Sequence, residues 1–263
     1  MLESSMSDAD YSALDRPEFL RFAFHPRKDF TTPPPNSTDH LIPVEGDISI
    51  SCRFHVHSQS SPSILFFHGN GEVVSDYDYI APIYNQLGIN LFVADYRGYG
   101  ASGGSPTFTN TIADSHSIFE GFMDLLRRGC HSGDLFVMGR SLGSMSAIEL
   151  ASRYGGQIKG LIIESGVGSM VRMMIQLGFP IEFIGITDTE FPNLAKIRTI
   201  TLPTLIIHAE FDNLAPLAGA KELFENSAAK EKNLVIIPGA DHNTILMYGI
   251  EPYFEAIREF VFG

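Results

Sequence analysis

Basic residues are scarce in this sequence of 263 residues. Lys and Arg number 18 against 31 Asp and Glu, which gives a formal net charge of −13 and a pI near 5.0. Proteins that bind nucleic acid collect positive charge on one face to meet the phosphate backbone. The composition therefore argues against nucleic acid as a partner, and an acidic surface also disfavours anionic membranes and strongly anionic substrates.

Cysteines and long apolar runs are also few. Cys52 and Cys130 are too few for a disulfide framework in a chain of this length, and neither has the spacing of a metal ligand. No apolar run approaches the length that crosses a bilayer, and the first residues are acidic and polar where a secretory signal is basic and then apolar. We therefore expect a cytoplasmic protein in a reducing compartment, with no membrane partner, no metal and no cofactor.

The order of elements predicts one large α/β domain over residues 38–263. Short apolar runs alternate there with longer segments of helical period, which is typical of βα units and a mostly parallel sheet. Residues 1–37 end in TTPPPNS, and consecutive prolines neither continue a helix nor donate to a sheet. We expect this first segment to be an extended N-terminal arm.

About eight strands are predicted, with helices on both faces of the sheet. Six runs are continuous in apolar residues, which favours strands buried on both faces: 64–67, 91–94, 135–138, 161–163, 205–207 and 234–237. Residues 39–44 and 48–55 alternate around a turn and predict an antiparallel hairpin at one sheet edge. Helices are predicted over roughly 75–87, 109–128, 142–154, 216–228 and 251–262.

The stretch from 166 to 201 is longer than a simple crossover between strands needs. Its first part places Val167, Met170, Val171, Met174 and Ile175 on one helical face. We interpret about 166–190 as a small lid segment, followed by a crossover helix near 191–197. Because thioethers adapt to irregular apolar ligands, Met170 and Met174 are candidates to line an acyl pocket, with ordinary core packing as the alternative.

The strongest local motif is Gly139-Arg140-Ser141-Leu142-Gly143, a GxSxG pentapeptide between a predicted strand and a predicted helix. Glycines are needed there because the serine stands on a sharp, strained turn that exposes its hydroxyl. We therefore predict Ser141 as a nucleophile. The Leu142 N–H at the helix N-terminus is a candidate donor to an oxyanion.

A second glycine-rich motif, His68-Gly69-Asn70-Gly71, follows the strand 64–67. Glycines let the backbone approach a ligand closely, and the loop after this strand supplies the second oxyanion donor of hydrolases with a GxSxG turn. We assign that donor to the N–H of Asn70, with Gly71 as the near alternative. His68 precedes the nucleophile, which favours a structural role for its side chain.

A serine hydroxyl needs a base and a carboxylate that holds the base in the right tautomer. Asp212 follows the strand 205–207 and His242 follows the strand 234–237. Sites form at the carboxyl ends of the strands in open α/β sheets, so we predict His242 as the base and Asp212 as the orienting acid. Glu210 and Glu164 are competing candidates for the acid.

Five motifs together resemble the α/β-hydrolase superfamily and, within it, the Bem46-like hydrolases and the alpha/beta hydrolase domain-containing proteins 13 and 17. They are HGNG at 68–71, DYRGYGASGGSP at 95–106, GRSLGS at 139–144, PTLIIHAEFDNLAP at 203–216 and GADHN at 239–243. The resemblance implies an α/β-hydrolase fold and a Ser-Asp-His triad at Ser141, Asp212 and His242. Ala209 and Ala215 stand where such relatives usually have Gly and Val.

The function expected from these residues is hydrolysis of an ester or thioester of a small molecule through an acyl-enzyme on Ser141. A peptidase or acyl-peptide hydrolase would use the same three residues on an amide, and this alternative stays open. A non-catalytic binding protein on the same fold is a third reading, disfavoured by the complete set of three residues. The expected partner is a small-molecule acyl substrate; the sequence predicts no oligomeric state.

Overall fold

The fold is known from a computed structural model that describes residues 10–176, 178 and 192–263. Its centre is an eight-stranded sheet with the order β1-β2-β4-β3-β5-β6-β7-β8. β2 pairs antiparallel with β1 and with β4, and every other neighbouring pair is parallel. The mostly parallel α/β sheet predicted from the sequence is therefore confirmed. The strands are β1 (Ser37–Pro43), β2 (Ser49–His55), β3 (Ser63–Phe67), β4 (Asn90–Ala94), β5 (Leu135–Arg140), β6 (Gly160–Glu164), β7 (Thr204–Ala209) and β8 (Lys232–Ile237).

Helices cover both faces of the sheet. On one face Phe92 of β4 stacks on Phe122 with ring centroids 4.1 Å apart, and on the other face the rings of Tyr84 and Phe254 meet edge to face at 5.1 Å. None of the helices in the described part of the chain has the length and apolarity that a bilayer span requires. The helices are α1 (Pro17–Ala23), α2 (Ala81–Gln86), α3 (Phe108–Arg128), α4 (Ser144–Arg153), α5 (Met170–Gln176), α6 (Asn193–Ile197), α7 (Leu217–Asn226) and α8 (Ile245–Phe262), with 3₁₀ turns at Val74–Tyr79 and Ser141–Gly143.

Two elements differ from the sequence predictions. β8 is predicted to be buried on both faces, but it is an edge strand, and Ile236 within it is 36% exposed. α8 begins six residues before the predicted start at 251 and is kinked at Gly249, whose φ of −142° and ψ of 37° are not helical. Because Gly249 and Pro252 interrupt the helical pattern, the sequence indicates only the part after the kink.

The N-terminal arm is not extended throughout. Pro17 occupies the first turn of α1, where a helix tolerates proline, and Phe19 and Ala23 share the face of α1 that is buried. Tyr11 and Leu14 before the helix are buried as well. The predicted extended conformation is therefore wrong for α1. Burial of the apolar side chains against the domain stabilises the helix more than an extended, exposed conformation would be stabilised. The division into an arm over 1–37 and a domain over 38–263 stays a prediction.

The predicted lid segment is only partly described. α5 begins within it, and Val167, Met170 and Met174 are buried as the predicted helical face requires, but Ile175 is 57% exposed. Residue 177 and residues 179–190 of the predicted lid lie outside the described residues, as does residue 191 of the predicted crossover helix. α6 corresponds to the rest of that helix.

Candidate active site

The GxSxG segment forms a sharp turn between β5 and α4. Ser141 has a φ of 51°, in the left-handed region that side chains other than glycine rarely adopt. A Cβ atom on Gly139 would lie 2.3 Å from the carbonyl oxygen of Gly143, and one on Gly143 would lie 2.1 Å from that of Phe67. Only glycine fits at these two positions, and the turn they allow holds Ser141 at the carboxyl edge of the sheet.

Ser141, His242 and Asp212 form one chain of hydrogen bonds at this edge. His242 Nε2 lies 3.0 Å from Ser141 Oγ, and His242 Nδ1 lies 2.7 Å from Asp212 Oδ2. The residues follow β5, β8 and β7, parallel strands whose carboxyl ends lie at the same edge of the sheet, so the topology brings together side chains that are far apart in sequence. This geometry allows the imidazole to accept the hydroxyl proton while Nδ1–H donates to the carboxylate.

The Asp212 carboxylate is buried and accepts hydrogen bonds at both oxygens. Oδ1 accepts from the backbone N–H groups of Leu214 at 3.0 Å and Ala215 at 2.7 Å, and Oδ2 accepts from His242. Burial opposes the charge, but the hydrogen bond from His242 and the others together hold the pKa of Asp212 below its usual 3.8. Burial lowers the pKa of the neighbouring His208, whose Nε2–H donates to the Ala215 carbonyl at 2.7 Å. An ionised Asp212 is therefore available to orient His242.

The competing candidates from the sequence are engaged elsewhere. The Glu164 carboxylate accepts from Arg140 at 3.0 Å, and Glu210 accepts a backbone N–H from the loop before His242 at 2.9 Å. His68 is buried and lies 3.1 Å from Asp95, as its predicted structural role requires.

A cavity of about 390 Å³ opens in front of Ser141 and His242. Asn70 and Leu142, the two predicted oxyanion donors, both line it. Among the described residues, the backbone N–H of Asn70 has no hydrogen-bond partner, so it is available to a group in the cavity. Within the described ranges, the apolar part of the wall is formed by Phe22, Ala23, Leu142, Val167, Met170, Met173 and Leu214.

The two methionines predicted to line an acyl pocket have different positions. Met170 is part of the cavity wall, whereas Met174 is fully buried in the core. Met173 lines the cavity beside Met170 instead. The prediction for Met174 is therefore corrected: α5 presents positions 170 and 173 to the cavity and buries position 174 in the core, a difference of one residue that the periodicity cannot resolve.

Comparison with known sequences identifies the family. The family model described as serine aminopeptidase, S33, matches residues 58–177 and 169–246. Alpha/beta hydrolase domain-containing protein 17B of Homo sapiens is 32% identical over 217 residues, which cover 81% of this chain and 70% of the relative, and the Xenopus tropicalis protein of the same name is 31% identical over the same shares. The chain belongs to the α/β-hydrolase family. The resemblance seen in the five sequence motifs is confirmed.

Solved structures show the same α/β-hydrolase fold. The Pyrococcus furiosus esterase Pf2001 superposes with a TM-score of 0.74 at 20% identity, over 90% of this chain and 97% of the esterase. A monoacylglycerol lipase of Paleococcus ferrophilus superposes with a TM-score of 0.61 at 18% identity, over 77% of this chain and 95% of the lipase. At this level of identity the likeness establishes the fold of this α/β hydrolase and not its substrate.

Arg140, directly before Ser141, is a site residue of this α/β hydrolase that the sequence reasoning missed. Its guanidinium pairs with the carboxylates of Glu72 and Glu164 and donates to the backbone carbonyl of His242 at 2.7 Å. Burial disfavours its charge, but the two carboxylates raise the pKa of Arg140. The charged Arg140 side chain therefore links the loop that contains His242 to the turn that contains Ser141. The available signal was an arginine at the end of an otherwise apolar strand.

Substitution of Gly143 by alanine tests the packing of the turn that contains Ser141 in this α/β hydrolase. We expect Gly143→Ala to lower the free energy of unfolding by about 3 kcal/mol, at the upper end of overpacking costs, because the new Cβ meets the backbone of β3. Urea unfolding followed by circular dichroism measures the change. Gly156→Ala is the matched control, since a Cβ there meets nothing within 4 Å. Equal stability of the two variants would contradict the packing argument.

Proposed function

We propose that this α/β hydrolase is a serine hydrolase that cleaves an ester or thioester of a small molecule through an acyl-enzyme on Ser141. The observation that carries the proposal is the 3.0 Å contact between His242 Nε2 and Ser141 Oγ, with Asp212 bound to the other ring nitrogen. A serine hydroxyl becomes a useful nucleophile only when such a base takes its proton.

The mechanism follows from the positions of these groups. Ser141 Oγ attacks the acyl carbon as its proton passes to His242, and the N–H groups of Asn70 and Leu142 stabilise the oxyanion. His242 then gives the proton to the departing alcohol or thiol, which leaves the acyl group on Ser141. Water deprotonated by His242 attacks this ester, and His242 returns the proton to Ser141 Oγ as the acid leaves; Asp212 stabilises the imidazolium in both steps.

The cavity wall supports an uncharged acyl group on the substrate, because much of it is apolar and the charge of Arg140, which also lines it, is already paired with Glu72 and Glu164. Methionine, phenylalanine, valine and leucine side chains form much of the wall. Among the described residues that line it, none is Asp or Glu. A cavity of about 390 Å³ falls within the range of small-molecule sites.

The description of the matching family model, serine aminopeptidase, favours a second candidate function. The same three residues act on amides, so an aminopeptidase or acyl-peptide hydrolase is the alternative. A peptide with a free N-terminus carries an ammonium group, for which the described part of the wall offers no carboxylate. Hydrolysis of aminoacyl p-nitroanilides faster than of p-nitrophenyl esters and acyl thioesters would favour the peptidase.

Covalent labelling tests the nucleophile directly. A fluorophosphonate probe is expected to add one adduct to the wild-type protein and none to Ser141→Ala, measured by intact mass. Ser105→Ala removes an exposed serine and serves as the control that keeps the label. An adduct on Ser141→Ala at the wild-type level would show that another residue is the nucleophile.

A further inference from the structure

The N-terminal arm passes directly over the loop that carries Asn70. After α1 the chain runs on without helix or strand, and Phe22, Ala23 and His25 form part of the wall of the cavity that contains Ser141. This segment precedes the α/β domain in sequence, and nothing in its residue types marks it as part of an active site.

Hydrogen bonds fix the side chain of Asn70 against the arm. Asn70 Oδ1 accepts from the backbone N–H of His25 at 2.8 Å and from the hydroxyl of Tyr99 at 2.7 Å. Two hydrogen-bond donors point at this atom, so it must be the amide oxygen, and the other terminal atom of the amide is the nitrogen Nδ2. Nδ2 therefore donates to His25 Nδ1 at 2.8 Å, which leaves the proton of the neutral imidazole on Nε2.

Gly71, the next residue of the loop, is also hydrogen-bonded to the arm. Arg27 Nε donates to the carbonyl oxygen of Gly71 at 2.8 Å, and the Arg27 guanidinium also pairs with Asp76. Gly71 has a φ of 79°, which glycine adopts readily, so the peptide can turn toward the arm. His25 and Arg27, which are two residues apart on the arm, thus bind Asn70 and Gly71, which are consecutive in the loop.

The arm is itself anchored at both ends of this contact. Before α1, the Lys196 ammonium donates to the hydroxyl of the buried Tyr11 at 2.7 Å. After it, the ring of Phe24 packs edge to face on Phe108 at 5.1 Å, and the N–H of Gly100 donates to the Arg27 carbonyl at 2.9 Å. Because the arm is anchored at both ends, it can fix the position of the loop that contains Asn70 and Gly71.

We propose that the N-terminal arm is an integral part of the active site, with His25 as a positioning residue for the oxyanion-binding loop. His25 holds the Asn70 side chain by its backbone N–H and by Nδ1, and so sets the direction of the Asn70 peptide N–H. Asn70 lines the cavity, and its backbone N–H has no partner among the described residues. The inference rests on the proposed serine hydrolase function.

Replacement of His25 tests the proposal. His25→Leu is expected to lower kcat for p-nitrophenyl acetate by roughly 10- to 100-fold, since a misplaced oxyanion donor weakens transition-state binding. KM should change by less than about 3-fold, because uniform binding of so small an ester does not depend on the donor. His25→Asn should recover most of kcat, because its amide oxygen can accept from Asn70 Nδ2 where Nδ1 does. His25 is exposed, so both variants are expected to fold.

Lys28→Met provides the matched control. It removes another hydrogen bond from the arm to a loop, from Lys28 Nζ to the Ser102 carbonyl at 2.5 Å, outside the cavity. It should keep the wild-type kcat. An equal loss of kcat in Lys28→Met and His25→Leu would indicate general loosening of the arm and would overturn the role of His25.

Hydrogen–deuterium exchange separates this inference from the proposed function. His25→Leu should speed exchange in the peptide that contains residues 69–71, while Lys28→Met leaves it unchanged. Wild-type exchange and wild-type kcat in His25→Leu would overturn the proposal. Wild-type protein without hydrolysis that depends on Ser141 would instead refute the serine hydrolase function, and the exchange comparison would still decide whether His25 holds the loop.

Discussion

His242→Ala is expected to lower kcat for ester hydrolysis by on the order of 10⁶-fold, the loss found when the base of a serine-protease triad is removed. His242 is the group in contact with the Ser141 hydroxyl, at 3.0 Å. Without it the hydroxyl has no proton acceptor for attack, and the leaving group has no proton donor for departure. KM for a small ester should change little, because the alanine variant keeps the apolar wall of the cavity and both predicted oxyanion donors.

Ser141 and His242 should also fail as a unit. Because Ser141 attacks only when His242 accepts its proton, the double variant Ser141→Ala/His242→Ala is expected to be no slower than either single variant. Steady-state kinetics with p-nitrophenyl acetate measures kcat for the two single variants and the double variant. His40→Ala, on the edge strand β1 and bonded to Thr38, is the control that keeps the wild-type rate. His242→Ala with kcat within about ten-fold of wild type would show that another group activates Ser141.

Much of the fold could be predicted because the buried sheet leaves a direct trace in the sequence. Strands covered on both faces must be apolar at every position, and the runs at 64–67, 91–94 and 135–138 have this form. The three site residues could be predicted for a related reason. Parallel strands end at one edge, so residues in the loops after β5, β7 and β8 are brought to the same edge by the topology.

The parts that could not be predicted depend on pairings between distant residues. Arg140 meets Glu72, 68 residues earlier, and His25 meets Asn70, 45 residues later. No local pattern specifies such pairs, because many polar side chains could supply the same hydrogen bond. The choice between Met173 and Met174 depends on how α5 is rotated about its axis, which the packing of neighbouring elements sets.

Asp212→Asn is the second substitution with a large expected effect, a loss in kcat on the order of 10⁴-fold. The reason lies in the donors around the carboxylate. The N–H groups of Leu214 and Ala215 both point at Oδ1, so an asparagine must place its amide oxygen there. Its NH₂ group then faces His242 Nδ1 and donates to it. This traps the proton of the ring on Nε2, the nitrogen that must accept from Ser141.

The two variants at position 212 are expected to show an unusual order of activity. Asp212→Ala leaves His242 without an orienting partner but does not force the wrong tautomer, so it should retain at least as much activity as Asp212→Asn. KM should stay close to wild type in both variants, since Asp212 does not line the cavity. The pKa of Asp212 is below 3.8 in the native protein, so the carboxylate is ionised and the loss should persist from about pH 5 to about pH 8.

Asp241→Asn is the matched control for this series. Asp241 lies directly before His242, and its exposed carboxylate accepts from Asn243 N–H at 3.0 Å and from Thr244 Oγ1 at 2.8 Å. An asparagine oxygen can accept both bonds, so kcat should equal that of wild type. A large loss in Asp241→Asn together with near-normal kcat in Asp212→Asn would transfer the orienting role to the neighbouring residue. Full activity in both variants would mean that His242 needs no carboxylate to hold its tautomer.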